Sequence, residues 1–317
     1  MIERDASRWS ASRGASSVKK LIIQIPCYNE EETLAITLRA LPRMVAGFDK
    51  VEWLIVNDGS EDRTVAVARE NGAHRGLACA FIAGLDAALH AGADVIVNTD
   101  ADNQYCADDI PKLTEPIVRG EAAIVVGTRP VDYIAHFSPL KKFLQRVGSS
   151  VVRQVSGTDV ADAPSGFRAM SGEAALQLNV FSRYTYTLET IIQAGQKNIP
   201  IKSVPIRTNA DLRPSRLMKS MRAYVNRSIV TILRISVTYK PLRVFLMLGT
   251  LLFTLGTALG LRWLWFFEVA GSTRTRLPSL ILIGVQLWIV GIVADIVAVN
   301  RRLLEDIQVR VKRMEYR

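Results

Sequence analysis

The chain has 317 residues, 49% of them hydrophobic, and carries 40 Lys and Arg against 30 Asp and Glu for a formal charge of +10. That length holds one α/β domain of about 200 residues and a further apolar part. Three cysteines (Cys27, Cys79, Cys106) imply no disulfide framework, and three histidines (His74, His90, His136) form no Cys/His cluster that would point to zinc. Residues 1–18, rich in Ser, Arg and Ala and lacking the apolar core of a signal peptide, are expected to form a disordered arm. The first strand predicted is 21–25 (LIIQI), ending in Pro26-Cys27-Tyr28-Asn29-Glu30. Asn29 and Glu32 have capping-box spacing ahead of a helical run over 34–41. A second strand over 51–57 (VEWLIVN) ends in Asp58-Gly59-Ser60, where Ser60 is placed to cap a helix over 63–71. Residues 76–92 carry Leu77, Phe81, Leu85, Ala88 and Leu89 at helical spacing and lead into a strand from Asp94. That strand runs straight into Asp100-Ala101-Asp102, with Gln104 two positions on. A fourth strand, 122–127 (AAIVVG), ends in Thr128-Arg129, and a helix carrying Lys141 and Lys142 is expected over 141–156. The order β-α-β-α-β-α-β predicts a doubly wound, mostly parallel, Rossmann-like α/β sheet.

Such sheets open their ligand crevice at the carboxyl ends of the strands, which puts Asp100 and Asp102 at the mouth of a pocket. Hard divalent cations are held by one or two carboxylates together with substrate phosphates, so the pair suits Mg²⁺ or Mn²⁺ and a nucleotide-diphosphate donor. Acidic pairs also cap helices and fill turns. Here the recurrence of charged and polar residues at several strand ends favours a ligand site. Arg129 and Arg168 both follow turn residues, where an anionic substrate would need cations, although solvated surface charge is the plainer reading of each.

P-C-Y-N-E-E at 26–31, V-N-D-G-S at 56–60, T-D-A-D-N-Q at 99–104, G-T-R at 127–129 and S-G-F-R-A at 165–169 fall in one order over 20–210. Together they resemble family 2 glycosyltransferases of GT-A fold, and within them the branch of dolichol-phosphate mannose synthase and the bacterial polyprenyl-phosphate glycosyltransferases. The resemblance implies that Pro26, Tyr28, Glu30, Asp58 and Asp100 bind the nucleotide. Asp102 and Gln104 would hold Mg²⁺ or Mn²⁺, and Arg129, Ser165 and Arg168 would lie at the acceptor phosphate. Asp100, Asp102 and Arg129 are the catalytic residues it implies. The donor would be a UDP- or GDP-sugar and the acceptor an undecaprenyl, decaprenyl or dolichyl phosphate. The product would be a lipid-linked monosaccharide for cell-envelope or glycan assembly, formed with inversion at the anomeric carbon. One departure stands out: Arg69-Glu70-Asn71-Gly72-Ala73 runs directly into His74-Arg75-Gly76-Leu77, where the family carries a further short strand and loop. A natural deletion and an omitted segment are both open readings, and they bear on the nucleobase pocket.

Two long uncharged stretches follow: 244–261, continuing through 263–267, and 277–294, each near the span of a bilayer. They predict a transmembrane hairpin over 242–300 with its loop at 268–276. Between Lys202 and Arg243 basic residues recur, with Asp211 the one acid, and the tail over 301–317 adds Arg301, Arg302, Arg310, Lys312, Arg313 and Arg317. Both flanks then lie on the cytoplasmic side of an inner or plasma membrane, with the catalytic domain over 19–212. Trp263, Trp265, Phe266 and Phe267 fit an aromatic belt at the outer end. Gly256 and Gly260 have the spacing that permits close helix packing, for which a homo-oligomer contact is one use. Apolar and basic residues alternate over 213–241 as in amphipathic helices lying on an anionic membrane surface. Because the basic residues crowd this membrane-proximal part, lipid headgroups and not nucleic acid are the expected partner.

A lipid phosphate, with a second pKa near 6, is mostly dianionic at neutral pH and attacks a sugar carbon without a general base. A saccharide or protein acceptor would need one, and a carboxylate such as Asp162 could serve in that alternative. A third reading, a non-catalytic membrane scaffold with a degenerate transferase domain, is opposed by the intact Asp100, Asp102 and Gln104.

Overall fold

The computed structural model describes residues 19–71, 80–130, 139–178, 186–210, 240–270 and 278–316, with isolated positions between 212 and 237. It divides into two compact units, Met1–Ile229 with Val311–Arg317, and Val230–Arg310. The first unit carries β1 (Lys20–Cys27), α1 (Leu34–Ala40), β2 (Lys50–Asn57), α2 (Thr64–Glu70), α3 (Ala80–His90) and β3 (Val95–Asn98). After a short 3₁₀ turn (Ala107–Asp109) come α4 (Ile110–Val118), β4 (Ile124–Thr128), α5 (Pro139–Ser156), β5 (Arg168–Ser171), α6 (Gly172–Gln177), α7 (Thr187–Gln196) and β6 (Ile201–Pro205). The strands form one sheet in the order β2-β1-β3-β5-β4-β6.

β1 pairs in parallel with β2 and β3, and β4 with β6, while β5 runs antiparallel to both of its neighbours. The mostly parallel, doubly wound sheet is thus the observed architecture, interrupted by one reversed strand. Leu21, Ile23, Ile25, Val95, Val97 and Val125 are buried in one core with Leu34, Leu38 and Phe167, because strands covered by helices on both faces must be apolar along their length. The polar exceptions in these strands are bonded. Gln24 Nε2, fully buried in β1, donates to the Phe81 carbonyl (3.1 Å) and reaches Asn98 Oδ1 (3.3 Å) on β3.

Two predicted helix caps are replaced by cross-loop bonds. Asn29 has a positive φ of 54° and its Oδ1 accepts from the Glu61 N–H (2.8 Å), so it does not cap α1. Ser60 Oγ accepts from the Asn29 N–H (3.0 Å), and Asp62 Oδ1 takes the Thr64 N–H at the start of α2 (2.9 Å). Both polar side chains link the β1 and β2 loops instead of closing their own helices. The junction at 72–79 lies outside the described residues, and among those described no strand stands between α2 and α3.

The second unit contains α8 (Pro241–Ala270) and most of α9 (Pro278–Glu315). Both hold windows apolar and long enough to cross a membrane, within Pro241–Trp265 and Leu280–Glu315. α9 continues without a break far beyond the predicted span. Its final residues belong to the first unit, where Lys312 Nζ and the Tyr316 hydroxyl reach Asp86 Oδ1 on α3 (2.9 and 3.1 Å) and Arg313 pairs with Glu173 on α6. The loop at 271–277 and nearly all of the 213–241 segment lie outside the described residues.

α8 and α9 cross closely where side chains are missing. A Cβ on Gly256 would stand 2.9 Å from Ile281 Cγ1, and one on Gly249 would stand 2.8 Å from the Gly284 carbonyl. Among the described residues Gly260 meets nothing within 4 Å, and the close approach seen there is made within the hairpin by Gly249 and Gly256. Gly256→Leu is expected to destabilise the hairpin by about 1–3 kcal/mol through overpacking, while Gly260→Leu is tolerated. Thermal unfolding of the two variants in detergent checks this; equal effects would contradict it.

Candidate active site

The site grows from the carboxyl ends of adjacent parallel strands. Cys27 and Asn57 are partners at the ends of β1 and β2, so the loops beginning at Tyr28 and Asp58 leave the sheet side by side. Their backbones are laced together: the Asp58 N–H donates to the Cys27 carbonyl (2.8 Å) and the Glu30 N–H to Thr64 Oγ1 (2.8 Å). Glu30 Oε2 accepts from the Thr33 hydroxyl (2.8 Å). Tyr28 is 55% exposed, Asp58 is exposed, and Pro26 and Glu30 are half-buried. Four residues expected at the nucleotide therefore share one accessible edge.

β3 delivers the acidic pair beside them. Asp100 and Asp102 are half-buried, and Asp102 Oδ1 accepts from the Gln104 N–H (3.1 Å). The 165–167 loop folds over Asp100 so closely that a Cβ on Gly166 would stand 3.1 Å from both Asp100 carboxylate oxygens and from the Tyr186 hydroxyl. A side chain here would force Asp100 or Tyr186 to shift by a few tenths of an ångström. The Tyr105 hydroxyl bonds Asp100 and accepts from the Gly166 N–H (3.0 Å), with its ring stacked on Phe167. Asn98 Nδ2 donates to the Gly166 carbonyl (3.0 Å) and to the Tyr186 hydroxyl (2.9 Å), whose ring stacks on Phe81 at 4.0 Å.

Burial, and after it the Asp102 charge, push the Asp100 carboxyl up to about 7, with Arg129 pulling the other way. The neutral acid is favoured in the folded chain, so the stability this group contributes is present at low pH and is lost as pH rises through about 7. Asp100→Asn is expected to unfold at a higher temperature than wild type near about pH 8, with the gap narrowing towards about pH 4. Thermal scans across that range in metal-free buffer check it, and a pH-independent gap would contradict it.

Among the described residues no three His, Cys, Asp or Glu side chains converge. The available donors are oxygens: two carboxylates, one of them held above its ordinary pKa by burial and by the other, with Gln104 two residues on. That set fits a hard divalent cation which completes its shell with phosphate oxygens.

Arg129, at the end of β4, is engaged. Its Nε and NH2 donate to Asp162 Oδ2 (2.7 Å) and Oδ1 (3.0 Å), and its backbone N–H donates to Oδ2 (3.2 Å). Asp162 is 2% exposed, so the carboxylate considered as a general base is the bidentate partner of a partly buried cation. The Ser165 hydroxyl is fully buried and, among the described residues, has no hydrogen-bond partner; the same holds for the Thr128 hydroxyl.

Arg168 is placed differently from the expectation. It is 1% exposed, and its guanidinium donates to the carbonyls of Ser165 (2.8 Å), Thr187 (2.8 Å) and Ala163 (2.7 Å) and to Thr190 Oγ1 (2.6 Å). It is a structural clamp between the 163–165 loop and α7 and does not present its charge to an acceptor phosphate. Burial lowers its pKa to about 10, which leaves it charged at neutral pH. Sequence reasoning also passed over Asn98, Tyr105 and Tyr186. Their roles depend on partners far along the chain, and Asn98 and Tyr105 sit at the edges of the T-D-A-D-N-Q motif, where proximity was the only signal.

Residues 22–177 match the model of the family described as glycosyl transferase family 2. The UDP-N-acetylglucosamine–dolichyl-phosphate N-acetylglucosaminyltransferase of Methanococcus voltae is 30% identical over 221 residues, covering 60% of this chain and 86% of that protein. The undecaprenyl-phosphate mannosyltransferase of Micrococcus luteus is 29% identical over 205 residues, covering 59% and 82%. In fold, the chain is similar to glucosyl-3-phosphoglycerate synthase from Mycobacterium tuberculosis, crystallised with Mn²⁺, uridine diphosphate and phosphoglyceric acid. The TM-score is 0.55 at 21% identity, over 69% of this chain and 78% of that one.

Proposed function

The chain belongs to the family 2 glycosyltransferases, and from that premise we propose that it is a membrane-associated enzyme moving a sugar from a UDP- or GDP-sugar to a polyprenyl phosphate. The observation that carries the acceptor class is the Arg129–Asp162 pair. Asp162, one carboxylate that could have deprotonated a saccharide or protein hydroxyl, is committed to a cation, and a lipid phosphate needs no such base. The relatives named for dolichyl- and undecaprenyl-phosphate support the same class.

In this reading Tyr28, Glu30 and Asp58 bind the nucleoside at the exposed edge formed by the β1 and β2 loops. Asp102 and Gln104 would hold Mg²⁺ or Mn²⁺, with Asp100 contacting the nucleotide or the metal. When bound, the cation neutralises charge building on the leaving diphosphate. Tyr105 and Gly166 hold Asp100 in place, and Arg129 supplies fixed positive charge where donor and acceptor phosphates meet. Ser165, whose fully buried hydroxyl has no hydrogen-bond partner among the described residues, stays assigned to the acceptor phosphate by the family resemblance alone. Arg168 keeps this loop in shape and has no part in binding. The Arg- and Lys-rich composition of 213–241, a segment nearly all outside the described residues, suits an anionic membrane surface, and the same charge bias assigns the catalytic unit to the cytoplasmic side.

The test is a panel of radiolabelled UDP- and GDP-sugars incubated with the full chain, Mn²⁺ and polyprenyl phosphate. One donor should label the organic phase, and polyprenol without the phosphate should not become labelled. Label in a water-soluble saccharide or in protein would favour the other acceptor class.

A further inference from the structure

The strip that leaves β6 runs along the loop carrying Asp102 and Gln104. The Ile206 N–H donates to the Thr128 carbonyl (3.0 Å), one residue before Arg129, and the Arg207 N–H donates to Asp109 Oδ2 (2.6 Å). Arg207 Nε and NH2 also donate to Asp109 Oδ1 (3.1 and 2.9 Å). Next, the Cys106 N–H donates to the Arg207 carbonyl (3.3 Å), and Tyr105 and Thr208 form an isolated antiparallel bridge.

Asn209 then takes three consecutive carbonyls of the loop. Its N–H donates to the Gln104 carbonyl (2.9 Å), and its Nδ2 donates to those of Asn103 (2.9 Å) and Tyr105 (3.2 Å). Asn103 sits at φ 56°, in the left-handed region that Asn enters more readily than most non-glycine residues. The primary amide is suited to the task, because one nitrogen carries two donors that can reach carbonyls on either side of Gln104. Asn209 is exposed, so a packing role in the core does not account for it.

We propose that Asn209 is a positioning residue that holds the Asp102–Gln104 loop ready for the cation and the donor diphosphate. The inference rests on the metal and donor reading given above. Asn209 touches no reacting atom; it acts by fixing the backbone between two ligand-bearing positions, and a loosely held ligand set binds more weakly.

The variants are Asn209→Ala, which removes the amide, and Asn209→Asp, which keeps the shape but turns an acceptor towards the carbonyls of Asn103 and Tyr105. The probe is Mn²⁺ titrated against the full chain with whichever of UDP and GDP the wild type binds, free Mn²⁺ being followed by electron paramagnetic resonance. Asn209→Ala should weaken Mn²⁺ binding by about three- to tenfold, in keeping with the loss of two ordinary hydrogen bonds. Asn209→Asp should weaken it further. If the loop did not depend on Asn209, the extra negative charge would strengthen cation binding, so the ordering separates positioning from simple electrostatics. Hydrogen exchange should rise in peptides covering 102–106 and stay unchanged in β1 and β3, with the unfolding temperature close to wild type. Unaltered Mn²⁺ binding in Asn209→Ala, or tighter binding in Asn209→Asp, overturns the inference while the metal site stands. A wild-type chain that binds neither nucleotide with Mn²⁺ overturns the underlying reading and the inference with it.

Discussion

Replacing Asp102 by Asn is expected to lower transfer by at least about a hundredfold while the chain still folds. The substitution keeps the size of the side chain and an oxygen able to accept the Gln104 N–H that Asp102 Oδ1 now accepts at 3.1 Å. Asp102 is half-buried at a loop, so little packing is lost. What disappears is a negative charge, and with it an anionic ligand for a hard cation. It is also the second largest influence holding the Asp100 carboxyl near 7, so Asp100 should ionise at lower pH in the variant. Steady-state transfer with saturating Mg²⁺ or Mn²⁺, alongside circular dichroism, measures both parts. Near-normal turnover would remove the metal role.

The second large effect is expected at Arg129. Asp162, 2% exposed, faces a guanidinium that is 13% exposed, and removing that cation leaves a carboxylate with neither water nor its bidentate partner. Arg129→Met should cost about 3–5 kcal/mol of stability and abolish transfer. The stability loss alone would not distinguish a structural cation from a catalytic one. The double variant Arg129→Met, Asp162→Leu does so, because a buried pair replaced by apolar residues of similar volume is often neutral or stabilising. Denaturant unfolding of the double variant should return near wild type with transfer still lost. Recovery of both would make the pair purely architectural.

Much of this molecule is readable from its residues alone. The apolar runs of β1, β2, β3 and β4 are continuous because helices cover both faces of the sheet, and Pro26, Tyr28, Asp58, Asp100 and Arg129 appear where those runs stop. The two long helices follow from uncharged length. β5 escaped because it is four residues long and begins with a buried arginine, so it shows neither an apolar run nor alternation. Arg168 is legible as a cation next to a glycine motif. Its burial, however, depends on oxygens of Thr187 and Thr190 that only the folded chain brings together. The same holds for Asn29 and Ser60, whose local spacing suits helix caps but whose partners lie across the β1–β2 edge. Asn209 carries no local signal at all. Its three acceptors lie over a hundred positions earlier in the chain, joined to it through β6.

The most direct test of the central claim is to identify the nucleotide released during transfer. The full chain is incubated with Mn²⁺, the preferred nucleotide-sugar and polyprenyl phosphate. Nucleoside mono- and diphosphates are then quantified against the lipid product, whose phosphorus is examined by ³¹P resonance. If the lipid's own phosphate attacks the sugar carbon, one nucleoside diphosphate appears for each lipid-linked sugar, and the product shows a single phosphodiester resonance. Release of nucleoside monophosphate with a pyrophosphate-linked lipid, or nucleoside diphosphate with no sugar on the lipid, would contradict the account.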